Sequence, residues 1–233
     1  MDKISFAIPN KTASNASASS NASASSNASA SSNYVKIAPN IYKFGDIASL
    51  DNNVYALYNN ACELKKTNSV EALKLFDKCR SLIDATTKPE TAYEIYVNLG
   101  LLLSGLDSPI EVAEHHYINA SKYCPERAEP YFYLSIYCQR KLNYEKVYEL
   151  LNKARLLSYD VANHKYPNVQ RNAYGKYVND NLADACYRLK KYDEAIELIE
   201  CILDDPDFSE QRDRLNKNLA LNRDELTKDL LIN

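Results

Sequence analysis

The stretch PYFYLSIYCQRKLNYEKVYELLNKARLL, residues 130–157, decides how the chain folds. Its apolar residues recur at i, i+3, i+4 and i+7, the period of a helix with one buried face, and a polar break separates two such runs. Leu134 and Ser135 form a large–small pair in the first run. Val147, Leu151 and Ala154 follow at four- and three-residue steps in the second.

Two neighbouring stretches repeat this layout. IYVNLGLLLSGLDSPIEVAEHHYINASKYCPE (95–126) places Leu99-Gly100 in its first run and Ala113, Tyr117 and Ala120 in its second. DNLADACYRLKKYDEAIELIECILDDP (180–206) places Leu182-Ala183 and then Ala195, Ile199 and Ile202. A weaker earlier copy, NVYALYNNACELKKTNSVEALKLFDKCRSLI, carries Leu57, Ala61 and Leu64, then Ala72, Phe76 and Cys79. Two antiparallel helices approach closely where a small residue on one admits a bulky residue from the other. Repeating that lock stacks each pair on the next. With these marks in register, the chain resembles the tetratricopeptide repeat family. The resemblance implies an all-α fold: a right-handed superhelical solenoid of about four helix pairs over 51–206, with a capping helix over 207–233. Proline closes two of the copies, at Pro125 and Pro206. Ser108-Pro109-Ile110-Glu111 predicts a capping box with proline at the first helical position. Asn68-Ser69-Val70-Glu71 predicts another helix start.

The spacing from Leu134 to Leu182 exceeds that from Leu99 to Leu134, and the surplus is SYDVANHKYPNVQRNAYGK. This stretch reads as a polar, turn-rich insertion at about 158–176. From Arg127 to about Leu226 the chain, insertion included, is similar to the helical repeat segment behind family 2 glycosyltransferase domains, including those of large DNA viruses. The catalytic half of such enzymes has no counterpart here. Asp205-Pro206-Asp207 matches the metal-binding Asp-x-Asp string, but it falls between two helices and reads as a helix-stop turn.

At the amino end, NASASSNASASSNASASS (15–32) repeats six residues three times, and Asn10, Asn15, Asn21 and Asn27 are glycosylation-type acceptors. Asn, Ala and Ser alone bury too little apolar surface to offset ordering entropy, so 1–33 is expected to be a disordered leader and 34–50 an irregular lead-in. The apolar patch ISFAI is too short for a secretory signal, and no window has the length of a membrane helix. The expected location is the cytoplasm, or a host cytoplasm or virion if the protein is viral. Six cysteines, none in a CxxC pattern, lie in or beside apolar helical runs and read as reduced, buried thiols. A net charge of −3 with interleaved signs lacks the basic footprint of a nucleic-acid binder.

No constellation for catalysis, and no cofactor motif, stands out. His115-His116 with Glu111 and Glu114 lacks an assured third ligand and reads as a solvated helix face. Function is therefore expected in the groove lined by the first helix of each pair. There Asn59, Asn98, Tyr133 and Asn181 hold places beside the large–small pair, and a carboxamide both donates to and accepts from a peptide backbone. Such a ladder occurs in some members of the repeat family. Gln139, Arg140, Asp184, Tyr187 and Arg188 complete the expected lining. The Lys and Arg of a chaperone-tail clamp are absent at the equivalent positions, where only Asn98 agrees. Tyr117, Tyr123, Tyr137, Tyr144 and Tyr148 fall at helical spacings and read as packing. The expectation is a non-catalytic scaffold whose partner is a protein or peptide, with no metal, nucleic acid or membrane. The alternatives are an accessory module for a separate glycosyltransferase and a self-assembling homo-oligomer.

Overall fold

The computed structural model describes residues 53–232, so the expected leader (1–33) and lead-in (34–50) lie outside it. The described residues are all-helical. The helices are α1 (Val54–Leu64), α2 (Ser69–Ser81), α3 (Pro89–Gly105), α4 (Ile110–Tyr123), α5 (Glu129–Arg140), α6 (Tyr144–Arg155), α7 (Tyr159–Lys165), α8 (Lys176–Arg188), α9 (Tyr192–Leu203) and α10 (Arg212–Ile232). Short 3-10 turns span Arg171–Ala173 and Pro206–Gln211. From α1 to α6 each helix packs on the next in sequence, α6 packs on α8 across the insertion, and α8, α9 and α10 continue the series. None of the described helices is long and apolar enough to cross a membrane.

Three of the chain reversals are alike. Asp107, Leu142 and Lys190 sit in the left-handed region, at φ 59°, 60° and 60°. After each, an N–H reaches back across the turn: Ser108 to Leu103, Asn143 to Cys138 and Lys191 to Cys186, at 3.1, 3.0 and 2.8 Å. This six-to-one closure satisfies carbonyls that a helix end would otherwise leave bare. None of the three is a glycine, so each turn works against a Cβ penalty. The Asp107 turn also overturns one expectation. The Ser108 N–H serves the end of α3, its carbonyl accepts from the Tyr137 hydroxyl, and α4 starts after Pro109 without a side-chain cap. Asn68 does cap α2, accepting from the Glu71 N–H at 3.1 Å, and Asn143 caps α6 in the same way.

The core is divided along α3. Ile95, Leu99 and Leu102 pack with Val54, Leu57, Ala61, Phe76 and Cys79. Tyr93 and Val97, on another face, pack with Ala120, Cys124 and Tyr166. A larger cluster runs from α4 to α10 through Leu134, Leu151, Leu182, Ile199 and Leu215. The expected small residues are all buried: Gly100 and Ser135 in their helices, Ala183 within the large cluster. At Gly100 the approach is closest, since a Cβ there would lie 2.7–2.9 Å from three atoms of the buried Tyr117 ring.

Two expectations change here. The insertion is not merely polar and turn-rich: it forms α7 and a 3-10 turn, and buries Ala162, Tyr166, Ala173 and Tyr174. Its apolar residues are sparse, so their burial depends on partners far away in sequence. All six cysteines are unpaired, but Cys201 is exposed and Cys62 only half-buried. At the carboxyl end a 3-10 turn carrying buried Phe208 precedes the final helix. Arg214 then fastens that helix to Asp180 of α8 by two bonds of 3.0 and 2.8 Å.

Gly100→Ala is expected to destabilise the fold by about 1–3 kcal/mol despite the better helix former, because the Tyr117 ring is packed and cannot retreat. Gly105→Ala, with nothing within 4 Å of its added methyl, should stabilise by up to about 1 kcal/mol. Urea unfolding of both variants checks the opposite signs.

Candidate functional site

A recess of about 390 Å³ opens beside α3. Tyr58 and Cys62 of α1, with Lys65 just past its end, form one side. Glu90, Tyr93, Glu94, Val97, Asn98 and Leu101 of α3 form the floor, and Arg127, before α5, and Tyr133, in it, form the far side. Pro167, Asn168 and Gln170 of the insertion complete the rim. The second helices α2, α4 and α6 contribute nothing to this lining. A helix that packs on both its neighbours leaves a free stripe, and the stripes of the first helices meet here.

The recess rests on a buried ion pair. Arg127 is 3% exposed and Glu129 0%. The Arg127 guanidinium donates to Glu129 Oε1 at 2.8 Å and to Oε2 at 3.4 Å. Its remaining N–H groups reach the carbonyls of Pro167 and Asn168, at 3.4 and 3.3 Å, and Glu94 at 3.5 Å. It also lies 4.2 Å from the centre of the Tyr93 ring. Burial alone would lower the guanidinium pKa, but the bonds to Glu129 together with the electrostatic pull of Tyr93, Glu129 and Glu94 outweigh it and the net shift is upward. Glu129 in turn accepts from the Gln170 N–H and the Tyr174 hydroxyl, each at 2.9 Å. Tyr174 also accepts the Ala128 N–H. Lys165 and Tyr166 add bonds of 2.5 Å to Glu126, which hold that carboxyl down at about 2. The insertion is thus a clasp closed over Arg127 and Glu129.

Of the residues expected from sequence, Asn98 and Tyr133 line the recess and the others do not. Asn98 is 4% exposed; its oxygen accepts from Lys65 Nζ at 2.6 Å and its amide nitrogen donates to the Glu94 carbonyl at 2.8 Å. Asn59 is exposed, and the α1 residue that faces the recess is its neighbour Tyr58. Asn181 donates to the Tyr177 carbonyl of its own helix. The carboxamides therefore do not form one ladder in this recess. Farther along, buried Asp184 accepts from Gln139 at 2.7 Å and pairs with Arg188 at 3.4 Å; burial raises its pKa. Arg140 donates to the Ser104 carbonyl, and Tyr187 meets Tyr192 edge to face. These residues join α3 to α5, α5 to α8 and α8 to α9. Arg127, Glu129 and Glu94 escaped the sequence reading because charged residues are ordinarily exposed. Pro125 and Pro130, which pin the chain on either side of Arg127 and Glu129, were the available hint.

The other chemistry-bearing groups are accounted for locally. Lys176 binds both oxygens of Asp205, at 2.6 and 2.8 Å, and one of Asp207, at 2.8 Å, while the Asp205 side chain caps the Asp207 N–H. This is the expected helix-stop turn. The rings of His115 and His116 stand nearly perpendicular. Among the described residues no group of three or more His, Cys, Asp or Glu is arranged to hold a metal ion. His116 is half-buried beside Tyr96 and less solvated than expected. Burial, with His115 and Arg80 adding positive charge, lowers its pKa to about 4, against the pull of Asp77.

Comparison with family models finds no match to this chain, and neither does comparison with curated proteins.

Glu129→Gln is expected to strand the Arg127 charge and cost about 3–5 kcal/mol in urea unfolding. Limited proteolysis should then cut the insertion first. For His116, both the folded and unfolded states are neutral above pH 6.5. As pH falls from there towards 4 the unfolded chain takes up a proton that the folded site refuses, so stability drops. His116→Phe should remove about 1–2 kcal/mol of that acid loss, less than the full shift because the ring is partly solvated. Melting curves at pH 7 and 4 measure it.

Proposed function

We propose that the protein is a non-catalytic, tetratricopeptide-like stack of helix pairs that binds a partner peptide or protein segment in the recess between α1, α3 and α5. The observation that carries this reading is the lining. First helices of three successive pairs, and no second helix, face one open cavity. The like turns at Asp107, Leu142 and Lys190 and the Gly100–Tyr117 approach support a repeated helix-pair unit. The insertion narrows one end of the recess and gives it a rigid rim. Tyr58 and Tyr133 supply broad, stiff surfaces at low entropic cost, which suits an interaction site. Lys65 and the carboxylates beside it supply polar contacts.

Peptides selected on the immobilised full chain from a displayed random library test the proposal. Fluorescence polarisation of the selected peptides is expected to show about tenfold weaker binding to Tyr133→Ala. It should show unchanged binding to Leu156→Ser, an exposed site outside the recess. Selection of no peptide, or equal binding to both variants, would refute a peptide site here.

A further inference from the structure

We infer that the recess recognises a lysine or arginine side chain of the bound segment, seated against Glu94 and Glu90 among the tyrosine rings. This rests on the peptide-binding reading and goes further by naming the chemistry of the residue that is read.

The charges facing the recess do not balance. The lining carries two cations, Arg127 and Lys65, and two anions, Glu90 and Glu94, but buried Glu129 behind it takes up the Arg127 charge and leaves Lys65 alone against two carboxylates. Arg127 is neutralised by Glu129, which holds it at 2.8 Å, and its remaining donors are spent on the two insertion carbonyls. Glu94 receives only a 3.5 Å contact from the same guanidinium and is 34% exposed towards the recess. Lys65 places its nearest bond on Asn98 rather than on either carboxylate. Glu90, one turn before Glu94 on α3, has no ion pair among the described residues, and it lines the same space. Burial raises the pKa of Glu94, with Arg127 and Lys65 pulling against it and Glu129 adding to it.

The second observation is independent of the carboxylates. Tyr93 is 1% exposed and forms part of the wall, and its buried hydroxyl oxygen has no hydrogen-bond partner among the described residues. Such an orphan is costly unless a ligand completes it. An ammonium or guanidinium brings N–H donors, and a phenol oxygen accepts them. Tyr58 and Tyr133 line opposite sides of the recess, and an aromatic ring attracts a cation within about 6 Å of its face. An acidic side chain would instead add to the surplus negative charge. A neutral one would leave it unpaired.

The peptides selected on the full chain decide the matter when titrated against wild type, Glu94→Gln, Glu90→Gln and Tyr133→Ala. Circular dichroism confirms that each variant is folded, and Glu90→Gln, which breaks no hydrogen bond or ion pair among the described residues, guards against a folding defect in Glu94→Gln. The expected result is a selected set enriched in Lys or Arg, with each carboxamide variant binding at least about fivefold more weakly. Replacing that basic residue by glutamine should weaken binding to wild type by a similar factor and have little further effect on the variants. Peptides without a basic residue that are lost in Tyr133→Ala but keep their affinity for both carboxamide variants would overturn the cation site and leave the peptide site standing. Peptides indifferent to all three variants, or no peptides, would overturn both.

Discussion

A buried guanidinium is tolerable only if every one of its donors is met, and Arg127 depends on that condition. Taking two opposite charges out of water costs several kcal/mol per ion, which a single contact does not repay. Here the repayment is spread widely. Glu129 supplies both oxygens, the carbonyls of Pro167 and Asn168 take further N–H groups, and the Tyr93 ring lies against the guanidinium plane. The counter-ion is satisfied in the same manner by Gln170 and Tyr174. Neither half works alone. The pair pulls the insertion down, and the insertion completes the pair.

That mutual dependence shapes the rest of the middle of the molecule. With its rim tied to Arg127, the insertion presents Tyr166 to Tyr93, Val97, Ala120 and Cys124, closing a small core on the far face of α3. Helix α3 is consequently buried on more than one side, which an ordinary amphipathic helix is not. Its length and its run of apolar residues, AYEIYVNLGLLL, serve two cores at once. The same helix exposes Glu90 and Glu94 to the recess, so the element that unites the hydrophobic clusters also carries the candidate site.

The recess itself follows from alternation. Among α1 to α6, the odd-numbered helices line the recess and the even-numbered ones do not. The residues these helices bring to the recess include tyrosines that also pack on the core, two carboxylates and Asn98.

Much of the architecture was legible in the chain of letters. The 3.6-residue period located the helices, and the recurring Leu99-Gly100, Leu134-Ser135 and Leu182-Ala183 pairs marked where they are buried. Asp205-Pro206-Asp207 announced its turn. These features are local or repeat at a fixed interval, so each segment carries its own signal. What the sequence did not reveal was the fate of individual polar residues. Whether Tyr58 or Asn59 faces the recess turns on a rotation of one residue about a helix that has few buried positions. Whether Asn98 is free or held depends on Lys65, a helix away. That Arg127 and Glu129 are buried depends on backbone carbonyls some forty residues on, and a carbonyl has no letter of its own. Periodic burial is written residue by residue, whereas the pairing of polar groups is decided only when distant segments meet and exclude water.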